Sequence, residues 1–211
     1  MTDCAGRASE EACQIVDPGK PTFTFTGFVA ALAQNAAGLP ALLAAYVAPG
    51  RLDPALREAA MVAVSRMNRC RHCTAIHSAW GAAVGMPEAP ADGAGDDVGT
   101  LAGRFARCAV AGTELATAER EIAQRLSPSE VRQLAAVARA IDFANRCGNT
   151  WDAFEGRLAG RPAQGSSLVD ELAVLGGLAP AGVPFLALSR LVRALRGEPR
   201  FSPPGAPGGP R

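Results

Sequence analysis

Aromatic residues and histidines are scarce in this chain. Aromatic side chains make up only 5% of the 211 residues, and there are 2 histidines. The strands of β-sandwiches depend on aromatic and β-branched residues, whereas alanine is the strongest helix former. The chain is rich in alanine and has no long stretch in which apolar and polar residues alternate. We therefore predict an all-α fold.

The chain also lacks an excess of charge of either sign. Its 21 basic residues balance 20 acidic ones, the net charge is +1, and no long basic run occurs. This balance argues against a nucleic acid or an anionic membrane surface as a partner. Residues 1–20 contain no apolar stretch of the kind that signal peptides have. We therefore expect a cytoplasmic protein, whose thiols stay reduced.

Two long segments contain no charged residue at all. They are residues 21–50 and 172–189, and glycine and proline interrupt both of them. We predict that the interruption at residues 35–40 divides the first segment into two helices, each too short to span a hydrocarbon core of about 30 Å. We therefore expect helices buried in the core or between subunits, and no membrane partner.

Helix start signals are clear at two places. Asp53 followed by Pro54 is typical of a helix N-terminus, and residues 127–130 form a capping-box pattern. We expect the second of these helices to end at Gly148.

Composition divides the chain into three parts. Residues 1–20 are predicted to be a loosely ordered N-terminal segment, and residues 21–197 a helical domain. Residues 198–211 are dominated by proline and glycine, and we expect this tail to be disordered. Within the domain, residues 86–99 are rich in Pro, Gly and Asp and are predicted to form a loop.

The stretch CRHCTAIH combines both histidines with two of the six cysteines. On a helix, Cys70, Cys73 and His77 lie on one face because they are separated by steps of three and four residues, and His72 lies on a neighbouring face. A cysteine at a helix N-terminus is favoured as the thiolate, which is the reactive form. A second thiol three residues along can convert a sulfenic acid into a disulfide.

Three other interpretations of this stretch stay open. Its four side chains could bind zinc, although one helix does not easily surround a metal tetrahedrally. The two cysteines could instead form a purely structural disulfide or remain inert buried thiols. We favour a redox-active pair that needs neither a metal nor an organic cofactor. The remaining cysteines are scattered and are expected to be incidental: Cys4, Cys13, Cys108 and Cys147.

A longer segment, REAAMVAVSRMNRCRHCTAIHSAWGAAVG, resembles the core motif of the alkyl hydroperoxidase D-like branch of the carboxymuconolactone decarboxylase family. That motif is a glutamate, eleven residues, Cys-X-X-Cys, three residues and a histidine. Glu58, Cys70, Cys73 and His77 match it, and His72 matches a histidine often found between the cysteines. By spacing alone, Glu58 faces either the thiols or solvent, and taken by itself it is typical of a surface carboxylate.

The resemblance implies a helical bundle that oligomerises, often as a trimer or hexamer. It also implies roles: Cys73 is attacked by the peroxide, Cys70 resolves the product, and Glu58 and His77 relay protons, with His72 as a less defined member. We therefore expect a peroxidase that acts on a hydroperoxide and is recycled by an external dithiol or thiol protein. The alternatives are a non-redox enzyme of the carboxymuconolactone decarboxylase type and a non-catalytic redox-sensing oligomer.

A weaker likeness to the same family extends over residues 39–154. Trp80, Phe143 and Trp151 lie in this region, and they could line an apolar pocket for an organic hydroperoxide or belong to the ordinary core.

Overall fold

Seven helices and no strand occur in the computed structural model within the residues that it describes, 19–87 and 95–178. They are α1 (Phe25–Val47), α2 (Pro54–Met67), α3 (Arg71–Ala83), α4 (Val98–Ala111), α5 (Leu115–Ile122), α6 (Pro128–Leu158) and α7 (168–178). The prediction of an all-α fold is confirmed.

The chain separates into two compact units, residues 1–174 and residues 175–211. Helices α1 to α6 and most of α7 belong to the first unit, and only residues 175–178 of the second are described. The tail at residues 198–211 and nearly all of the N-terminal segment lie outside the described residues. The predicted domain boundaries therefore stay predictions.

Both predicted helix starts are confirmed. The Asp53 carboxylate accepts hydrogen bonds from the backbone N–H groups of Ala55 and Leu56, at 2.7 and 3.3 Å. The Ser127 hydroxyl accepts from the Glu130 N–H while the Glu130 carboxylate accepts from the Ser127 N–H, which completes the capping box of α6. Such caps satisfy donors that the first helical turn leaves without a partner.

The predicted break at residues 35–40 is wrong, because α1 runs through Pro40 as one helix. A proline inside a helix removes one hydrogen bond to the carbonyl four residues earlier. Here Pro40 and Ala36 are both exposed, so water can bind that carbonyl. The expectation that two short helices would not cross a membrane does not hold for one continuous helix. Among the described residues, α1 is the one helix that is long and apolar enough by composition to span a bilayer. Its Phe28 ring nevertheless stacks on Phe143 of α6 within the bundle.

Helix α6 also extends further than the sequence predicts. It passes through Gly148 and continues to Leu158, so the predicted end at Gly148 is wrong. Gly148 is exposed, whereas Asn145 and Asn149 on either side of it are buried. Tertiary contacts of these neighbours outweigh the cost of about 1 kcal/mol that a glycine imposes on a helix interior.

Helix α2 lies at the centre of the bundle. It packs against α3, α4 and α6, while α1 packs against α6. Helices α2 and α4 approach closely where Gly103 faces Ala63, since a Cβ atom added to this glycine would lie 3.2 Å from the Ala63 Cβ atom. The central position of α2 explains why residues on several of its faces are buried, including the polar residues Glu58 and Ser65.

Candidate active site

The turn between α2 and α3 brings Cys70 to a helix N-terminus. The Cys70 N–H donates to the Ser65 carbonyl and the Arg69 N–H to the Arg66 carbonyl, both at 3.0 Å. This is the Schellman arrangement that closes many helices, with Arg69 in the left-handed conformation at φ 54°. Cys70 is the next residue and is also the N-cap of α3, where its sulfur accepts a hydrogen bond from the Cys73 N–H.

Polar residues of α6 hold this turn in place. Asn149 is buried and donates through Nδ2 to the Asn68 carbonyl at 3.0 Å, and the Asn68 side chain donates to the Asp142 carboxylate at 2.8 Å. One turn earlier, Ser65 and Asn145 share a buried hydrogen bond. Burial raises the pKa of the Asp142 carboxyl, an effect that the Asn68 hydrogen bond opposes.

The amides of α6 were missed in the sequence. Their signal is the segment FANRCGNT, which places amides at positions 145 and 149, four residues apart and in step with the apolar residues Ile141 and Ala153. A buried amide requires partners, so this spacing indicates a polar contact with another element. The sequence does not identify that element.

Cys70 and Cys73 are joined by a disulfide, with Cα atoms 5.3 Å apart. Cys70 is buried and Cys73 is half-buried, so Cys73 is the more accessible of the two. Cys108 and Cys147 are free, half-buried thiols. Burial raises the pKa of the Cys147 thiol to about 12, which fits the expectation of an incidental cysteine.

Glu58 faces the helix of the cysteines and not solvent. Its side chain is only 6% exposed, and its Oε2 atom lies 2.8 Å from Nδ1 of His77. The surface role that is typical of an isolated helical glutamate is therefore wrong here. Cys73 precedes His77 by one turn of α3. The sulfur of Cys73, the imidazole of His77 and the carboxylate of Glu58 therefore follow one another from α3 to α2.

Two further residues adjoin Glu58 and were also missed. Nε of Arg57 lies 3.6 Å from Oε1 of Glu58, and the Arg57 guanidinium lies 4.2 Å above the ring of Tyr46. Burial raises the pKa of the Tyr46 hydroxyl; the Arg57 charge lowers it and the Glu58 charge raises it further. Both residues belong to this site because α1 ends beside the start of α2, a contact that sequence periodicity does not encode.

The other candidate residues have different surroundings. His72 is exposed at the surface of α3, and it is not part of the Glu58–His77 hydrogen bond. Trp80 presents its ring edge to His77, with ring centres 5.5 Å apart, and is 58% exposed. Phe143 stacks with phenylalanines of the core, and Trp151 contacts Phe154. Of the three aromatic residues proposed for a pocket, Trp80 is therefore the one that contacts a site residue. Both tryptophans are at least half exposed, so neither is an ordinary core residue.

Within residues 19–87 and 95–178, no group of three or more His, Cys, Asp or Glu side chains is arranged to hold a metal ion.

A cavity of about 630 Å³ lies elsewhere on α2. It is bounded by the first turns of α2, by Met86–Pro87 and by the start of α4. None of the predicted site residues lines it.

A comparison of the sequence with models of protein families agrees with the resemblance drawn from the Cys-X-X-Cys motif. The model of the carboxymuconolactone decarboxylase family matches residues 33–94, which contain all five predicted site residues. Comparisons with curated proteins and with solved structures found no match. The matched segment covers the larger, C-terminal part of α1, all of α2 and α3, and most of the following connection. Over residues 33–94, less than a third of its length, the chain is similar to the carboxymuconolactone decarboxylase family, which includes the alkyl hydroperoxidase D-like proteins.

Proposed function

We propose that this protein is a thiol-dependent peroxidase whose Cys70–Cys73 pair cycles between dithiol and disulfide. The observation that carries the proposal is the contact of 2.8 Å between Glu58 and His77, one helical turn from Cys73. A carboxylate that holds one imidazole nitrogen orients the ring and supports proton transfer at the other nitrogen. A structural disulfide has no need of such a buried acid–base pair beside it.

In the first step, the Cys73 thiolate attacks the distal oxygen of a hydroperoxide. A sulfur–oxygen bond forms, the oxygen–oxygen bond breaks, and the leaving alkoxide takes a proton supplied through His77 and departs as an alcohol. Cys73 becomes a sulfenic acid and the peroxide gains two electrons. Cys73 is assigned the attack because it is the more accessible thiol and because His77 lies one turn along the same helix.

In the second step, the Cys70 sulfur attacks the sulfenic sulfur of Cys73. The disulfide forms, and hydroxide leaves as water with the proton that Cys70 gives up. The short distance between the two Cα atoms, 5.3 Å, permits this bond with no backbone movement. An external dithiol or thiol protein then supplies two electrons and two protons by thiol–disulfide exchange, which suits a reducing compartment such as the cytoplasm.

We also propose that the protein is a homo-oligomer, because α1 carries an exposed apolar stripe without any charge. The residues of this stripe alternate at steps of four and three residues, as in the seam of a coiled coil, if Ala36 is counted between Leu32 and Leu39. They are Phe25, Val29, Leu32, Leu39, Leu43 and Tyr46, each between 42% and 55% exposed. An adjacent face of α1, which carries Phe28 and Ala45, is buried in the bundle, and α1 packs on α6, which favours a second protein surface over lipid as the cover of the stripe.

The first turnover of the reduced protein tests the peroxidase. Stopped-flow mixing with cumene hydroperoxide is expected to consume one equivalent of peroxide in Cys70→Ser and none in Cys73→Ser, with Cys108→Ser as a control that retains full cycling. A reversed pattern would exchange the roles of the two thiols. Equal behaviour of all three variants, or no consumption by the unmodified protein, would exclude this site as a peroxidase and leave a redox sensor or a non-redox enzyme.

A further inference from the structure

Arg57 directs its side chain toward the end of α1 and not into solvent. The side chain is 14% exposed, and its Nη1 atom donates to the Ala45 carbonyl at 3.3 Å. Ala45 lies in the last turn of α1, where carbonyls have no partner within the helix and carry a partial negative charge. Helix α1 has no basic residue of its own in that turn, so Arg57 of α2 provides the positive charge.

The same guanidinium is shared between two further groups. It lies 4.2 Å above the Tyr46 ring, and its Nε atom is 3.6 Å from Oε1 of Glu58. Nε has no hydrogen-bond partner among the described residues, so its effect on Glu58 is that of a nearby charge. A stacked, planar guanidinium is fixed in place more firmly than a flexible ammonium group.

This arrangement divides the two oxygens of Glu58 between two partners. Oε1 faces Arg57, and Oε2 is left to face Nδ1 of His77 at 2.8 Å. A carboxylate that is 6% exposed has a large desolvation cost unless a positive charge accompanies it. Arg57 provides that charge on the side away from His77.

We infer that Arg57 is a positioning residue of the active site, which orients Glu58 toward His77 and is itself held by Tyr46 and the Ala45 carbonyl. The inference rests on the proposed peroxidase, and it assigns the C-terminal turn of α1 to the catalytic machinery. Arg57 touches neither thiol nor peroxide and acts only through Glu58.

Two substitutions separate charge from geometry. Arg57→Met keeps an apolar side chain of similar length but removes the charge, and Arg57→Lys keeps the charge but loses the planar group over Tyr46. We expect Arg57→Met to lower the first-turnover rate by roughly 10- to 100-fold, since misplacement of a catalytic group costs about that much. Arg57→Lys should recover part of the loss. The exposed Arg66 of the same helix gives the matched control, because Arg66→Met should leave the rate unchanged.

Two further readouts distinguish positioning from a general loss of structure. In a Glu58→Gln background, Arg57→Met should have no additional effect on the rate, because its target is already absent. Thermal melts of each variant show whether the bundle remains folded. An equal loss in both backgrounds, or a wild-type rate in Arg57→Met, would overturn the inference.

Alkylation keeps this test independent of peroxide turnover. Peptide mass spectrometry follows the rate at which iodoacetamide modifies Cys73 in the reduced protein. If the unmodified protein consumes no peroxide but Arg57→Met still slows alkylation in a Glu58-dependent way, the peroxidase is refuted and the positioning role stands. If alkylation and first turnover are both indifferent to Arg57, the positioning role is refuted.

Discussion

The contact between Glu58 and His77 is best tested by a double-mutant cycle on the first turnover. Glu58→Gln preserves the size of the side chain but removes its charge and its ability to take up a proton, and His77→Ala removes the imidazole. Each single substitution is expected to slow the reaction by roughly 10²- to 10⁴-fold, the usual range for a lost general acid or base. Because the two atoms lie 2.8 Å apart, the residues should act as a unit. The double variant should then be within about threefold of the slower single variant.

The structure also sets the stability cost of this perturbation. Glu58 is buried, and its replacement leaves Arg57 without its opposite charge, a loss on the order of 1–3 kcal/mol. Arg57 keeps the Ala45 carbonyl and the Tyr46 ring as partners, which places the cost toward the lower end of this range. Domains of this size have about 5–15 kcal/mol of stability, so the variant should remain folded at 25 °C.

The assay is stopped-flow peroxide consumption by fully reduced protein, with circular dichroism melts on the same samples. Glu155→Gln, which changes an exposed carboxylate on α6, is the matched control and should leave both rate and melting temperature unchanged. Independent effects that multiply in the double variant would refute a shared relay. Wild-type rates in both single variants would remove the pair from the mechanism altogether.

The remaining predictions concern assembly, packing and thiol reactivity. Light scattering should show a species larger than the 21.6 kDa monomer, and Leu32→Gln with Leu39→Gln should reduce it to the monomer by making the α1 stripe polar. Gly148→Ala should stabilise the protein by about 0.5–1 kcal/mol because nothing lies near the added methyl group, whereas Gly103→Ala should destabilise it by about 1–3 kcal/mol through the contact with α2. Cys147, with a pKa of about 12, should resist iodoacetamide at pH 8. Since this folded-state pKa lies above the ordinary 9.0, the unfolded thiol ionises first, and stability should fall as the pH rises from about 9 to 12.

The assembly, packing and pH predictions have the following controls and contrary outcomes. Ala33→Gln with Ala37→Gln changes exposed positions of α1 off the stripe and should leave the oligomer intact. A monomeric unmodified protein, or one recovered with membranes, would contradict self-association through α1. Thermal melts should order the two glycine variants on opposite sides of the parent, and equal shifts would contradict the close approach of α2 and α4. The pH effect should become smaller in Cys147→Ala, the remainder coming from the Tyr46 hydroxyl, whose pKa is also raised by burial, and an unchanged pH dependence would contradict the assignment to Cys147.

The sequence by itself determined the helical class, the caps at Asp53 and Ser127, and the residues that we propose for the chemistry. These features are local. A capping box depends on groups three residues apart, and the face shared by Cys70, Cys73 and His77 follows from helical spacing alone. The resemblance to the carboxymuconolactone decarboxylase family was equally visible, because the motif is a run of residue types at fixed separations and needs no tertiary contact.

Only the tertiary structure decided which way Glu58 faces and what holds it there. Its contact with His77 joins two helices, and its contact with Arg57 depends on α1 ending beside α2. Packing also overruled two local signals, since α1 continues through Pro40 and α6 continues through Gly148. In both cases the residue inside the helix destabilises it by up to a few kcal/mol, and contacts with residues distant in sequence offset this loss. Sequence periodicity records which face of a helix is apolar, but it does not record which helix will cover that face.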